Sequence, residues 1–174
     1  MRRVLVIGSG GAGKTTLARR MGAVTGLPLI HLDQLYWHSG WRATPNDEWD
    51  RVVDALCARD AWIMDGNYGR TLAVRLAACD TVVFLDTPRW RCLWRIVRRR
   101  LRHGQQNRRE LPEGCPDRLT WEFVRWVWSY PGRRRPAILA ELSALSDRKR
   151  TVVLHGDREV GRFIATLAES AGGP

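Results

Sequence analysis

The residues from Gly8 to Thr16 combine glycines, one lysine and two threonines at a spacing suited to binding phosphate. They match the pattern G-x-x-x-x-G-K-T. Glycines let backbone N–H groups converge on phosphate oxygens without side-chain clash, and a helix that starts there adds the positive end of its dipole. The Lys14 ammonium then reaches the β- and γ-phosphates as a catalytic group, while the Thr15 hydroxyl binds Mg²⁺. We expect ATP and Mg²⁺ as cofactors, with the phosphates on Gly8, Gly10, Gly11, Ala12, Gly13, Lys14, Thr15 and Thr16.

A phosphate-binding loop at Gly8 to Thr16 needs a strand before it and a helix after it, and the sequence supplies both. Residues 4–7 form an apolar run, and further β-branched or apolar runs occupy 29–32, 62–64, 81–85 and 151–154, each separated from the next by a helical segment. Alternation of this kind predicts a three-layer α/β/α P-loop fold with a five-stranded parallel sheet. Ligands bind beyond the carboxyl ends of such strands, where Asp33, Asp65 and Asp86 lie.

Two of these carboxylates are candidates for chemistry. Asp33 could accept a proton from an attacking hydroxyl or hold Mg²⁺ through water, although a turn or helix-capping aspartate is the alternative. Asp65 could support Mg²⁺ through a water, and Gly66 after it permits a ligand close to the backbone. Because no glutamate follows Asp65, transfer to a bound acceptor fits better than hydrolysis.

Aromatic residues crowd the segment after the second strand. Trp37 and Trp41 could stack on a planar acceptor such as a nucleobase, or they could form the core of a mobile flap. For Trp49 we favour packing. This segment, residues 34–60, is the expected acceptor-binding region.

The helix that starts near residue 89 has two faces of different chemistry. An apolar face carries Trp90, Leu93, Trp94, Val97 and Leu101. A stripe beside it carries Arg91, Arg95, Arg98 and Arg102, which could be a solvated face or could lead into a lid. The least regular part of the chain, residues 103–135, follows as the expected lid region and contains a short aromatic helix over 121–128.

Composition limits the class of protein. The 174 residues fit a single domain, and the net charge of +11 comes almost entirely from arginine, since Lys14 and Lys149 are the only lysines. Such a balance favours nucleotides, other polyanions or nucleic acid as partners. Four well-separated cysteines, no apolar run that spans a bilayer and no room for a signal peptide predict a cytoplasmic protein without a membrane partner. The oligomeric state stays open.

The order of motifs resembles a known family. The phosphate-binding loop is followed by His31-Leu32-Asp33-Gln34-Leu35-Tyr36-Trp37, then by Trp62-Ile63-Met64-Asp65-Gly66-Asn67-Tyr68, then by Leu85-Asp86-Thr87-Pro88 and an arginine-rich helix. This order looks like the adenylate-kinase-like P-loop proteins labelled DNA topology modulation proteins. The resemblance implies a fold of the nucleoside-monophosphate-kinase type with a lid insertion. Asp65-Gly66 resembles the D-G pair of those kinases, which implies an acceptor-phosphate role for Arg70, although the family's F-P-R sequence is absent.

The resemblance and the residues together predict an ATP- and Mg²⁺-dependent kinase acting on a nucleotide, a nucleoside or another small molecule such as a sugar or acid. Its acceptor would lie among Asp33, Trp37, Trp41, Asp65, Gly66 and Arg70. As related kinases bring lid arginines onto the transferring phosphoryl group, Arg98 and Arg102 are candidates for neutralising charge in the transition state, and Arg133, Arg134 and Arg135 are secondary ones. The alternative is a nucleic-acid-binding protein that is regulated by nucleotide. The cationic stripe with interleaved tryptophans would suit that function.

Overall fold

The computed structural model describes residues 1–103, 112–116 and 119–171. Its strands are β1 (Arg3–Gly8), β2 (Leu29–His31), β3 (Trp37–His38), β4 (Arg42–Ala43), β5 (Trp62–Asp65), β6 (Thr81–Leu85) and β7 (Arg150–Leu154). Its α-helices are α1 (Lys14–Thr25), α2 (Leu32–Tyr36), α3 (Asn46–Cys57), α4 (Leu72–Ala78), α5 (Arg89–His103), α6 (Trp121–Arg133), α7 (Arg135–Leu145) and α8 (Asp157–Ala171). In this described part, no helix is long and apolar enough to cross a bilayer.

Five strands form one parallel sheet in the order β2-β5-β1-β6-β7. The predicted fold class and the five predicted strands are confirmed. Because β1 is central, with β5 on one side and β6 on the other, the loop after β1 leaves the sheet where the chain connections diverge. Ligands bind at such a point in open α/β sheets. The register places Val6 beside Asp65, and Asp65 beside His31, so the site residues start from neighbouring strand ends.

Helices cover both faces of the sheet and make a separate apolar core on each. One core contains residues of α3, α4 and α7, and the other contains residues of α1, α5 and α8. The strands themselves are buried on both faces, from Val4 to Gly8 in β1 and throughout β5 and β6. Strands that are apolar at every position are the expected signature of such a sheet.

The packing of α5 differs from the sequence-based expectation. The predicted apolar face is largely exposed: Trp90, Trp94, Val97 and Leu101 are 62%, 54%, 44% and 81% accessible. Cys92 and Ile96 are the buried residues that pack into the core, at 0% and 3%. The helix turns this narrower face inward because the phosphate-binding loop lies directly against it, as described below.

Two further features were not predicted. A short antiparallel hairpin, β3–β4, follows α2, and residues 112–116 contact it: Gly40 donates to the Gly114 carbonyl at 3.1 Å and the Trp41 indole donates to the Pro116 carbonyl at 3.1 Å. The aromatic helix, α6, is longer than predicted and ends at Arg133, with Thr120 capping its first turn. Residues 104–111, 117 and 118 of the expected lid lie outside the described residues.

Candidate functional site

The loop between β1 and α1 is enclosed by its neighbours so tightly that Gly8, Gly10 and Gly11 have no room for a side chain. A Cβ on Gly8 would lie 2.7 Å from the Leu85 carbonyl oxygen, and one on Gly10 would lie 2.8 Å from the Phe123 ring. Gly8 also has φ +149°, which disfavours other residues. The end of β6 and the aromatic face of α6 therefore fix the shape of the loop.

The helix α5 supports the same loop from another side. A Cβ on Gly11 would clash with the Cys92 carbonyl and would lie 2.9 Å from Ile96. Arg95 donates to the Ala12 carbonyl at 2.8 Å and to Asp157 at 2.6 Å. Arg95 thus contacts the loop directly, a role that the stripe pattern alone did not distinguish.

Lys14, Thr15 and Asp65 meet at the start of α1. The Lys14 ammonium donates to the Ser9 carbonyl at 3.0 Å, and the Thr15 hydroxyl donates to Asp65 Oδ2 at 2.6 Å. His31 Nδ1 lies 3.3 Å from the same oxygen. Asp65 is only 6% exposed, and its other oxygen, Oδ1, is buried without a hydrogen-bond partner among the described residues.

Asp65 is held as an anion. Burial raises its pKa, but the hydrogen bond with His31, the positive charge of Lys14 and the hydrogen bond from Thr15 outweigh burial, so the pKa lies below the usual 3.8. Asp65 is therefore ionised at neutral pH, with one oxygen hydrogen-bonded and the other without a donor in the part of the chain that the structure describes.

This arrangement suits a magnesium ion that phosphates help to bind. Across the described ranges, no three His, Cys, Asp or Glu side chains gather as metal ligands. Mg²⁺ does not need such a cage, because it usually keeps several waters and uses one or two carboxylates plus substrate phosphates. The Thr15 hydroxyl and the unpartnered, buried Oδ1 of Asp65 fit that requirement.

The loop after β5 depends on a residue that the sequence analysis missed. Arg75 is fully buried and donates to the carbonyls of Gly66 at 3.0 Å, Asn67 at 2.6 Å and Tyr68 at 2.7 Å. Burial lowers the pKa of Arg75 to about 10, which leaves the guanidinium charged at neutral pH. Asn67 in turn accepts a hydrogen bond from the Gly8 amide at 3.1 Å. A single buried cation therefore fixes the loop after β5, which contacts the phosphate-binding loop.

Gly66 is constrained as well. It has φ +151°, and a Cβ there would lie 2.9 Å from Cβ of Leu32. The backbone immediately after β5 therefore passes closely over the start of α2, which carries Asp33. The Tyr68 hydroxyl donates to Asp33 Oδ1 at 2.6 Å, and burial together with the Asp33 charge raises the pKa of Tyr68, so its proton stays in place.

The aromatic residues after β2 form one cluster with Tyr68. Tyr36 contacts Trp37, Trp49 and Tyr68 with ring centroids 4.6–5.0 Å apart, and Trp37 contacts Trp41 at 5.3 Å. Trp49 is 1% exposed and belongs to the core. Trp37 and Trp41 are only partly buried at the edge of the cluster.

Three of the sequence-predicted arginines are exposed, and their described contacts are with residues other than Thr15 and Asp65. Arg70 is exposed and forms a bidentate ion pair with Asp50 of α3, at 2.6 and 3.0 Å. Arg98 is exposed and lies over the Trp94 ring at 4.9 Å, and Arg102 is exposed at the end of α5. Arg135, a secondary candidate, pairs with Asp86.

Comparisons with known proteins bear on the fold. No protein-family profile matches the sequence, and no curated protein matches it either. A sugar kinase from Janibacter sp. HTCC2649, solved without ligand, superposes with a TM-score of 0.50 and 19% identity over 100% of this chain and 99% of its own. Shikimate kinase from Acinetobacter baumannii, solved with shikimate, superposes with a TM-score of 0.57 and 17% identity over 98% and 92%. These similarities establish a kinase-like P-loop fold.

Proposed function

We propose that the protein is an ATP- and Mg²⁺-dependent phosphotransferase that phosphorylates a small-molecule acceptor. The observation that carries the proposal is the contact between Thr15 and the buried, ionised Asp65 at the N-terminus of α1. Hydroxyl, carboxylate and ammonium converge there on the strand ends where this fold binds ligands. The two kinase structures that share the fold support the same reaction class.

In this proposal the loop from Gly8 to Thr16 binds the donor phosphates through its backbone amides. Lys14 leaves the Ser9 carbonyl to contact the β- and γ-phosphates, and Thr15 and Asp65 would hold Mg²⁺. Bound there, the ion would neutralise charge on the phosphate oxygens. Arg95, already on the Ala12 carbonyl, fixes the loop, and Arg98 and Arg102 stay candidates for neutralising the transferring group.

The acceptor lies over α2 and the loop after β5, among Asp33, Trp37, Trp41, Asp65 and Gly66. Its nucleophilic oxygen attacks the γ-phosphorus as the bond to the bridging oxygen of ADP breaks. For a hydroxyl acceptor the proton passes to Asp33, whose position Tyr68 fixes; a phosphate acceptor needs no base. Residues 34–60 are proposed as the acceptor-binding segment and residues 103–135 as a lid that excludes water, within a single domain. Arg70 would have to release Asp50 to reach the acceptor.

The decisive experiment combines calorimetry of ATP binding with an ADP-release screen over nucleotides, nucleosides, sugars and hydroxy acids. We expect ATP to bind only weakly without Mg²⁺, and at least one acceptor to give turnover. Lys14→Ala should lose about 100- to 1,000-fold in kcat/KM, because it removes the ammonium that stabilises negative charge on the β- and γ-phosphates. Arg20→Ala, which removes an exposed cation from the same helix, is the matched control and should stay near wild type. Absence of heat with ATP and Mg²⁺ for a chain with native circular dichroism overturns the proposal.

A further inference from the structure

One face of α6 lines a cleft of about 440 Å³ that the proposed catalytic residues do not use. Arg125, Trp126, Tyr130 and Arg133 project into it at helical spacing, and Arg134 completes it. Glu122 is the one acidic residue of its lining, so the lining carries a net positive charge. The cleft therefore attracts anions.

The arginines of this cleft differ from three arginines near the site that are held by carboxylates. Arg70, Arg95 and Arg135 each have a carboxylate partner. By contrast, the cleft arginines, Arg125, Arg133 and Arg134, form no ion pair with any residue in the described part of the chain. Three guanidinium groups around one cleft repel each other and are stabilised by a shared anion.

A buried hydroxyl provides a second, independent sign of a ligand. Tyr130 is 95% buried, since 5% of it is exposed, and its hydroxyl has no hydrogen-bond partner among residues 1–103, 112–116 and 119–171. Arg134 and Asp86 are both close enough for their charges to act on that hydroxyl, and Asp86 is itself paired with Arg135. Buried Tyr hydroxyls usually have a partner. An anionic oxygen beside Arg134 would supply the missing acceptor.

The position of the cleft links it to both halves of the proposed reaction. Trp126 lies 3.2 Å from where a Cβ of Gly10 would be, at the tip of the phosphate-binding loop. Arg134 lies 3.4 Å from the corresponding point on Gly69, in the loop after β5. An anion held in the cleft is thus next to the loop after β5 and next to the tip of the phosphate-binding loop.

We infer that this cleft binds an anionic substituent of the acceptor, a carboxylate or a phosphate, that is not itself phosphorylated. Arg133 and Arg134 bind its oxygens and Tyr130 donates to them. The substrate class is then an anionic small molecule, because a neutral sugar or nucleoside would leave the three arginines unpaired. The inference rests on the proposed phosphotransferase function, because only a phosphotransferase has an acceptor. Binding of an anion to the cleft can be measured whether or not the protein is a phosphotransferase.

The first experiment measures the site in the Lys14→Ala variant, in which phosphate binding at the donor loop is weakened. Inorganic phosphate and malonate are titrated against tryptophan fluorescence, which Trp126 should report. We expect saturable binding, with the tighter probe identifying phosphate or carboxylate as the preferred group. Arg134→Gln should raise the Kd about tenfold or more. Arg148→Gln, an exposed arginine after α7, is the matched control. No saturation, or equal Kd values in the two arginine variants, overturns the inference.

The second experiment separates acceptor from donor. An anionic acceptor from the ADP-release screen is compared with its methyl ester or amide. In Arg134→Gln we expect the KM for the anionic acceptor to rise about tenfold, a clearly larger change than in the KM for its neutral analogue or in the KM for ATP. A rise confined to the KM for ATP would show that the cleft serves the donor and would overturn the inference. If wild-type protein binds no ATP and Mg²⁺, the proposed function fails, while the phosphate and malonate titrations still decide whether the anion site exists.

Discussion

Asp65 combines features that rarely occur in a residue with only a structural role. A buried carboxylate is expensive unless it is paired, yet Asp65 leaves one oxygen without a donor among the described residues. Its ionisation depends on the other oxygen, which accepts from Thr15 and lies beside His31, and on the charge of Lys14. The three partners belong to the ends of β2 and the start of α1, so the anion is held where two strands and one helix meet.

The lowered pKa of Asp65 predicts how stability depends on pH. A carboxylate whose folded pKa lies below the unfolded value of 3.8 stabilises the protein above that pH and loses this effect as pH falls through the folded pKa. We expect Asp65→Asn to lower the free energy of unfolding by about 2 kcal/mol at pH 6. As pH falls below 3.8 and through the lowered pKa of Asp65, the difference from wild type should shrink because the wild-type carboxylate takes up a proton.

Urea unfolding at pH 6 and at successive values below pH 4 measures this difference. Asp60→Asn, an exposed carboxylate before β5, serves as the control, and its offset should be small throughout. A gap between wild type and Asp65→Asn that widens toward low pH would contradict the assignment of Asp65 as a stabilised anion.

Among individual residues of the site, the sequence predicted some and missed others for a physical reason. Thr15 and Asp65 each follow from a local signal, a loop motif and a polar residue at a strand end, and parallel strands place those ends together. Arg75 has no such signal, because it lies in an ordinary helix and acts on backbone carbonyls of residues 66–68. Nothing in the amino-acid sequence shows that the carbonyls of this loop will need a buried hydrogen-bond donor.

At the scale of elements, α5 shows the limit of helical periodicity. The helix has two apolar faces, and the pattern favoured the one with more and larger residues, Trp90, Trp94 and Leu101. The structure buries the other, because the backbone of Gly11 approaches α5 at Cys92 and Ile96. The strands were predicted well since their signal is local and strong. The β3–β4 hairpin was missed because its contacts with residues 112–116 are distant in sequence.

This packing predicts opposite results for two matched truncations on α5. Ile96→Ala should lower the free energy of unfolding by about 3 kcal/mol, since Ile96 is 3% exposed and fills the space against Gly11. Leu101→Ala should change it by less than about 0.5 kcal/mol, because Leu101 is 81% exposed. Thermal unfolding should show a shift of about 6–12 °C for the first variant alone. If Leu101→Ala were the more damaging change, the observed orientation of α5 would be wrong.

At the scale of the whole molecule, the net charge of +11 acts on every anion in solution. Such a chain attracts nucleic acid at low salt whether or not it has a site for it. The charge alone therefore does not separate a phosphotransferase from a nucleic-acid-binding protein. The two differ in how binding responds to salt and to the lysine of the phosphate-binding loop, because one depends on many exposed cations and the other on a few oriented groups.

We predict that a duplex oligonucleotide loses about 10³-fold or more in affinity between 50 and 200 mM salt, since each phosphate contact releases condensed counterions. Lys14→Ala should leave that binding almost unchanged, as it removes one cation from the 29 basic residues.

Binding of ATP with Mg²⁺ should respond in the opposite way. Its affinity should fall only modestly over the same salt range and should be lost in Lys14→Ala, because its contacts are amides, one ammonium and a metal ion in a partly enclosed loop. Fluorescence anisotropy of a labelled duplex and calorimetry of ATP, each at both salt concentrations, measure the two responses. Saturable duplex binding that persists at 200 mM salt and that ATP does not displace would favour nucleic acid as the physiological ligand.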